Sequence, residues 1–175
     1  MKKKKGFSLI ELIVVIAIIS ILMAILIPSW GYFIRRSRER SANAKARIIF
    51  NAAQNACTEY MQSEKNIAEA SRYIGSGDFL FYWESEAKCG ELDATGTAFA
   101  NTSPSADDLK FGRKVNKIID DMVVYKIYVK NYKVQSVTCS RFDDDRYVGA
   151  YPKSCDVAGV QPANVWASEM TDFVV

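Results

Sequence analysis

Histidine is absent from the 175 residues of this chain. With it goes the commonest general base, so His-dependent catalytic triads are excluded. The four cysteines, Cys57, Cys89, Cys139 and Cys155, include no C-x-x-C pair. Lacking both histidine and metal-ligand spacing, the chain offers zinc no donor set. No other catalytic constellation stands out, so the chain reads as a non-enzyme that calls for no cofactor and no metal. Charge is nearly missing from one region too: between Phe7 and Ile27 only Ser8, Glu11 and Ser20 interrupt the apolar run. At about 1.5 Å per residue the run reaches roughly 30 Å, long enough to span a bilayer.

What is there completes a simple plan of one anchor and one head. From Arg35 to Val175 charged and apolar residues mix normally over the length of one soluble domain, enough to bury its own core. The formal charge of +3 comes from 23 basic and 20 acidic residues, and four of the lysines, Lys2 to Lys5, precede the apolar run. Without them 19 basic residues face 20 acidic ones, a balance of about −1 that predicts no polyanionic partner. An even number of cysteines behind an export-type N-terminus reads as two disulfides in an oxidising compartment.

Glu11 is the anomaly in the span. A carboxylate at a membrane helix centre is disfavoured by roughly 2.5 to 3.5 kcal/mol on insertion scales, and less near an end, so it demands a compensating partner. A secretory signal would have a shorter apolar core and a small-x-small cleavage site, whereas this run continues through "AILIPSW" without one. An uncleaved single-pass anchor carrying a receptor or solute-binding head fits the length and the basic flank. It leaves Glu11 unexplained, and Arg35, Arg36, Arg38 and Arg40 on the far side blur the positive-inside count.

The stretch "KKKKGFSLIELIVVIAIISILMAILIP" resembles the class III leader of type IV prepilins and of the pseudopilins of type II secretion: a basic leader, Gly6, Phe7, Glu11, then an apolar helix reaching Pro28. The resemblance implies cleavage by a membrane aspartyl peptidase between Gly6 and Phe7, and methylation of the new amine on Phe7. It casts Glu11 as the family's assembly glutamate, with Phe7 and Pro28 beside it in subunit assembly. The electrostatic logic is independent of the family: Glu11 is read as lacking a partner in its own chain, and an ammonium at Phe7 of an adjoining subunit would neutralise it in low dielectric.

The implied fold is α+β, the type IV pilin fold, with a long N-terminal helix packed on a C-terminal antiparallel sheet. The segments are 1–6 as leader, 7–34 as membrane and assembly helix, 35–62 as its amphipathic half, 63–121 as an αβ-loop region and 122–175 as the sheet and its disulfide-closed end. The implied partners are the prepilin peptidase and methyltransferase, identical or related pilin subunits in a helical polymer, an inner-membrane assembly platform, and the lipid bilayer before assembly. The implied location is the cytoplasmic membrane for the precursor, head outside, and then a surface filament. Pilin and pseudopilin share the leader, so adhesion and protein secretion both stay open as roles.

After the run, Pro28 is expected to bend or loosen the helix, or to break it beside Gly31. Ile49, Ala53, Ala56 and Tyr60 recur at spacings of four, three and four, a small apolar stripe expected to face the head. Arg35, Arg36, Arg38, Arg40, Lys45 and Arg47 scatter around the helix, as snorkelling, solvated or intersubunit cations do. DNA is disfavoured as a partner for want of a second basic face or an aromatic platform.

Between Ser63 and Asp121, "GSGD" and "GELDATGTAFANTSPSADD" read as loops, "FLFYW" (Phe79 to Trp83) as a short strand, and Ser105 with Asp108 as a capping box opening a helix to about Ile119. Farther on, Val123, Tyr125, Ile127 and Val129 share one strand face, Asn131 marks a turn, a second strand runs to about Cys139, and "RYVGAY" follows a turn at Asp143 to Asp145. Those three acids lack the spaced ligand pattern of a calcium loop, and Asn101 in "NTS" carries little weight as a sequon. This meander resembles the C-terminal sheet of type IV pilins, where a disulfide commonly closes the variable segment. On that resemblance Cys139 is expected to pair with Cys155, leaving Cys57 to pair with Cys89.

Overall fold

The computed structural model describes residues 8–75, 77–119, 122–155 and 162–175, and leaves the side chains of Pro28 and Ser29 aside. The described chain divides into two units, one ending at Arg38 and the other running from Glu39 to Val175. A single helix, α1 (Leu9–Glu64), contributes to both. The alternative of a break beside Gly31 does not hold, since helical backbone continues through Pro28 and Gly31. The missing N–H of proline costs one hydrogen bond, and the helix-forming residues on either side outweigh it.

In the second unit, α1 meets a five-stranded antiparallel sheet of β1 (Asp78–Ser85), β2 (Lys88–Leu92), β3 (Val124–Lys130), β4 (Lys133–Ser140) and β5 (Gly149–Tyr151), in the order β2-β1-β3-β4-β5. The sequence-read stripe of Ile49, Ala53, Ala56 and Tyr60 is buried, together with Ala46, Ala52 and Cys57. Alanines at this spacing keep the helix surface low, so its backbone rides close to the strands. Period-two alternation does the rest. Phe79, Phe81 and Trp83 of β1, with Tyr125, Ile127 and Val129 of β3, share the core with α1, while Tyr82 and Val124 face a second core on the opposite side.

The hairpin from β3 to β4 turns at Asn131 and Tyr132, both with positive φ (51° and 60°), as a two-residue turn matching strand twist requires. Helix α2 (Ala106–Asn116) opens with the expected capping box: Ser105 Oγ accepts from the Asp108 N–H, and Asp108 accepts from the Ser105 N–H at 2.7 Å. It stops at Asn116 rather than Ile119; single turn-type bonds from Ile118 to Val115 and from Ile119 to Asn116 follow. Phe111 of α2 meets Phe81 edge to face, with ring centres 4.9 Å apart, and Gly112 lies against the Trp83 ring, where a Cβ would overlap Cε3 and Cζ3.

The loop reading of "GELDATG" needs correction. Its first residues belong to β2, whose Cys89 stands opposite Trp83 and whose Leu92 stands opposite Leu80. A five-residue strand holding Gly90 at φ 149° carries little local strand signal. It exists because β1 offers it a ladder.

Candidate functional site

Along α1, the apolar side chains from Leu9 to Ile27 are exposed, and the helix is long and apolar enough to cross a membrane. Its two polar side chains are satisfied locally. Ser20 Oγ donates to the Ile16 carbonyl at 2.7 Å, the back-bonding that lets a hydroxyl sit in an apolar helix. Glu11 Oε2 accepts from the Ser8 N–H at 2.9 Å. This corrects the expectation that Glu11 has no partner in its own chain: three residues into the helix, a carboxylate reaches back to an orphan N–H of the first turn and to the positive end of the helix dipole. One hydrogen bond occupies one of its oxygens and leaves acceptor capacity on the other. Gly6 and Phe7 lie outside the described residues. Pro28 lies within α1, one residue past the last aliphatic of the run.

At the end of the span stand Trp30, Tyr32 and Phe33, all exposed, then Ile34 and the arginines. Arg36 Nη1 donates to Tyr32 Oη at 2.9 Å. Sequence reading noted the arginines but not the aromatic row before them. The signal was three rings in four residues, the composition of a membrane interface.

The head is fastened to the second half of α1 by buried polar side chains. Gln54 accepts from the Val134 N–H at 2.9 Å and donates to the Tyr132 carbonyl at 3.2 Å, so one amide holds the β3–β4 turn and the start of β4. Glu64, buried at the helix end, accepts from Tyr132 Oη at 2.7 Å and from the Tyr73 N–H at 2.8 Å. Asp108 joins its own cap to Tyr73 Oη at 2.6 Å and to the Glu91 N–H at 3.2 Å. Burial, then the bond to Asp108, pushes the Tyr73 phenol far above its usual range. Burial and then the Asp108 charge push the nearby Glu91 carboxyl up.

On the opposite face of the sheet, Lys126 is buried and donates to three carbonyls, Gly96 at 3.0 Å, Trp166 at 2.9 Å and Ser168 at 3.0 Å. Desolvation lowers its pKa, and the Asp93 and Glu169 charges oppose that. Ser136 Oγ donates to the Met170 carbonyl at 2.6 Å, and Thr138 shares a 3.1 Å hydrogen bond with Ser168. These three side chains dock the C-terminal segment where a patterned strand would show polar residues to solvent.

All four cysteines are buried. Burial raises the Cys57 and Cys139 thiols to about 12 and the Cys89 thiol to about 11. At Cys139 the Lys45 charge opposes that rise and Cys155 adds to it, while Cys139 Sγ donates to the Ala42 carbonyl at 3.5 Å. Cys57 and Cys89 belong to the same core. Among the described residues no group of three or more Asp, Glu or Cys side chains could hold a metal ion. Of the three consecutive acids, Asp145 accepts from the Tyr147 N–H at 3.2 Å and so closes the turn expected there.

Residues 1–27 match the family described as the prokaryotic N-terminal methylation motif. The chain is 31% identical over 126 residues to a fimbrial protein of Dichelobacter nodosus, covering 66% of this chain and 75% of that relative. It is 30% identical over the same length to the type IV major fimbrial protein FimA of Dichelobacter nodosus. It is also 39% identical over 57 residues to the type IV major pilin protein PilA of Myxococcus xanthus, covering 33% of this chain and 26% of that one. No solved structure matches.

Proposed function

The chain belongs to the type IV pilin family, and from that premise we propose that it is a structural subunit, not an enzyme, of a type IV pilus or pilus-like filament. The observation that carries the reading is the exposed apolar surface of α1 from Leu9 to Ile27, interrupted by one carboxylate near its start. In the membrane, lipid covers that surface. In a filament, the same surface of neighbouring subunits covers it, and van der Waals packing between helices replaces contact with lipid. The head faces outward and takes no part in the helix core.

The precursor is cut between Gly6 and Phe7 and methylated on Phe7, and the helix of residues 7–34 polymerises. Hydrolysis of the Gly6–Phe7 bond releases residues 1–6 and leaves an ammonium at Phe7, close in sequence to Glu11. Glu11 of one subunit then pairs with Phe7 of the next. In low dielectric an uncompensated charge is costly, so only the axial register that pairs both ends is well populated. Pro28 lies within that polymerising helix and takes part in subunit assembly.

In the oxidising compartment Cys139 is joined to Cys155, and Cys57 to Cys89. The first pair follows the disulfide that commonly closes the C-terminal segment in the family, and the second joins the two cysteines that remain, Cys57 on α1 and Cys89 on β2. Non-reducing peptide mapping of exported protein should recover these two links; Cys57 joined to Cys139 would overturn both.

The processing step is tested by coexpression with a prepilin peptidase and mass spectrometry of the mature N-terminus. The expected product begins at methylated Phe7, and Gly6→Val blocks the cut by crowding the scissile bond. A product that still begins at Met1 in the unsubstituted chain would overturn the reading.

A further inference from the structure

The segment after the apolar run sets a row of exposed rings directly before a cluster of arginines. Trp30, Tyr32 and Phe33 remain 64%, 65% and 70% exposed, and Arg35, Arg36 and Arg38 follow within one and a half turns. No Asp or Glu lies between Glu11 and Glu39, so this end of the unit is strongly positive. From Leu9 to Ile27 the helix rises about 28 Å, close to the hydrocarbon thickness of a bilayer. The rings therefore fall at the boundary, and the arginines fall beyond it.

The Arg36 side chain reaches back toward that boundary. Arg36 Nη1 meets Tyr32 Oη at 2.9 Å, one turn nearer the apolar run, which is the direction helical side chains take and the direction of a snorkelling cation. At about 100° per residue, Arg35, Arg36 and Arg38 fan over nearly half the helix circumference instead of forming one stripe.

We propose that Arg35, Arg36 and Arg38, backed by the Trp30–Tyr32–Phe33 row, form a binding surface for anionic phospholipid headgroups in the leaflet nearest the head. The inference rests on the membrane-inserted precursor of the preceding reading. Guanidinium forks match phosphate oxygens in bidentate geometry, and the rings fix the depth at which they meet them. Anionic lipid then holds the subunit at its correct depth until assembly withdraws it.

The test uses the full chain reconstituted in phosphatidylcholine vesicles with or without about one-third phosphatidylglycerol, and trace spin-labelled phosphatidylglycerol or phosphatidylcholine as the probe. The motionally restricted fraction should favour phosphatidylglycerol by about fivefold or more, the value expected of even one arginine near a charged surface. High salt should reduce that preference, and R35Q/R36Q/R38Q should abolish it with insertion unchanged. Replacing Lys2 to Lys5 with glutamine separates the opposite leaflet and should leave most of the preference intact. Preference that survives the arginine changes and vanishes with the lysine changes would overturn the proposal. So would equal restriction of both lipids, including the case in which the arginine variant inserts normally and fails only to enter filaments. A chain that does not co-sediment with either vesicle would overturn the membrane reading itself and this inference with it.

Discussion

Gly149 on β5 faces the backbone of Ala42 on α1 with no room for a side chain: a Cβ there would overlap the Ala42 carbonyl carbon and oxygen. Around this point Asn43 Oδ1 accepts from the Ala150 N–H at 2.9 Å, so the helix covers the free edge of β5 and occupies one of its N–H groups. The contact is between two backbones, and neither can rotate away.

Gly149→Ala should therefore destabilise the full-length protein in detergent by about 1 to 3 kcal/mol, the usual cost of overpacking where the neighbour cannot yield. Urea unfolding followed by tryptophan fluorescence measures it. A variant as stable as the parent would mean that α1 does not seat on β5 as described.

Lys126→Met removes an ammonium that serves three carbonyls and leaves them buried. Charge-assisted hydrogen bonds of this kind contribute about 1.5 to 3 kcal/mol each at most, and they share one donor group, so a loss of about 3 kcal/mol is expected. Hydrogen exchange should accelerate in 93–100 and 162–175 before it does in β3 or β4. Uniform acceleration would argue for general unfolding instead of release of the C-terminal segment.

Glu91 supplies a pH dependence. Its folded carboxyl is raised by burial and by Asp108, so between the unfolded value near 4.5 and the higher folded value the native state binds more protons. That contribution favours folding below the unfolded value and is lost as pH rises through the folded one. Glu91→Gln should accordingly raise the melting temperature at pH 7 and do little at pH 4. An equal effect at both would show that the carboxyl titrates normally.

Glu11→Val should leave membrane insertion intact, since it removes the one charged group of the span and forfeits only the bond to Ser8. Filament yield in sheared fractions should fall about a hundredfold, because the Phe7 ammonium is stranded at a cost of about 3 kcal/mol or more. Normal yield would mean that the charge pair does not select register in this protein.

The sequence alone determined the features whose causes lie within a few residues. An apolar run of membrane length, a carboxylate three residues into its helix, the Ser105–Asp108 capping box and the period-two faces of Tyr125, Ile127 and Val129 are all local patterns. Each could be read because turn, cap and alternation depend on spacing alone. The alanine stripe of α1 was legible for the same reason, and so was its destination in the core.

Other features were decided only when distant segments met. β2 is a strand because β1 pairs with it across a two-residue turn, and its glycine and charges had pointed to a loop. Lys126 alternates with core residues and so should face water, yet the segment around Trp166 to Met170 covers it and supplies its three-carbonyl socket together with the 93–100 loop. Gly149 shows no local reason to be glycine; the reason is Ala42, more than a hundred residues earlier. Local spacing settles which side of a strand or helix a residue occupies, but burial depends on what lies opposite, and that partner comes from elsewhere in the chain.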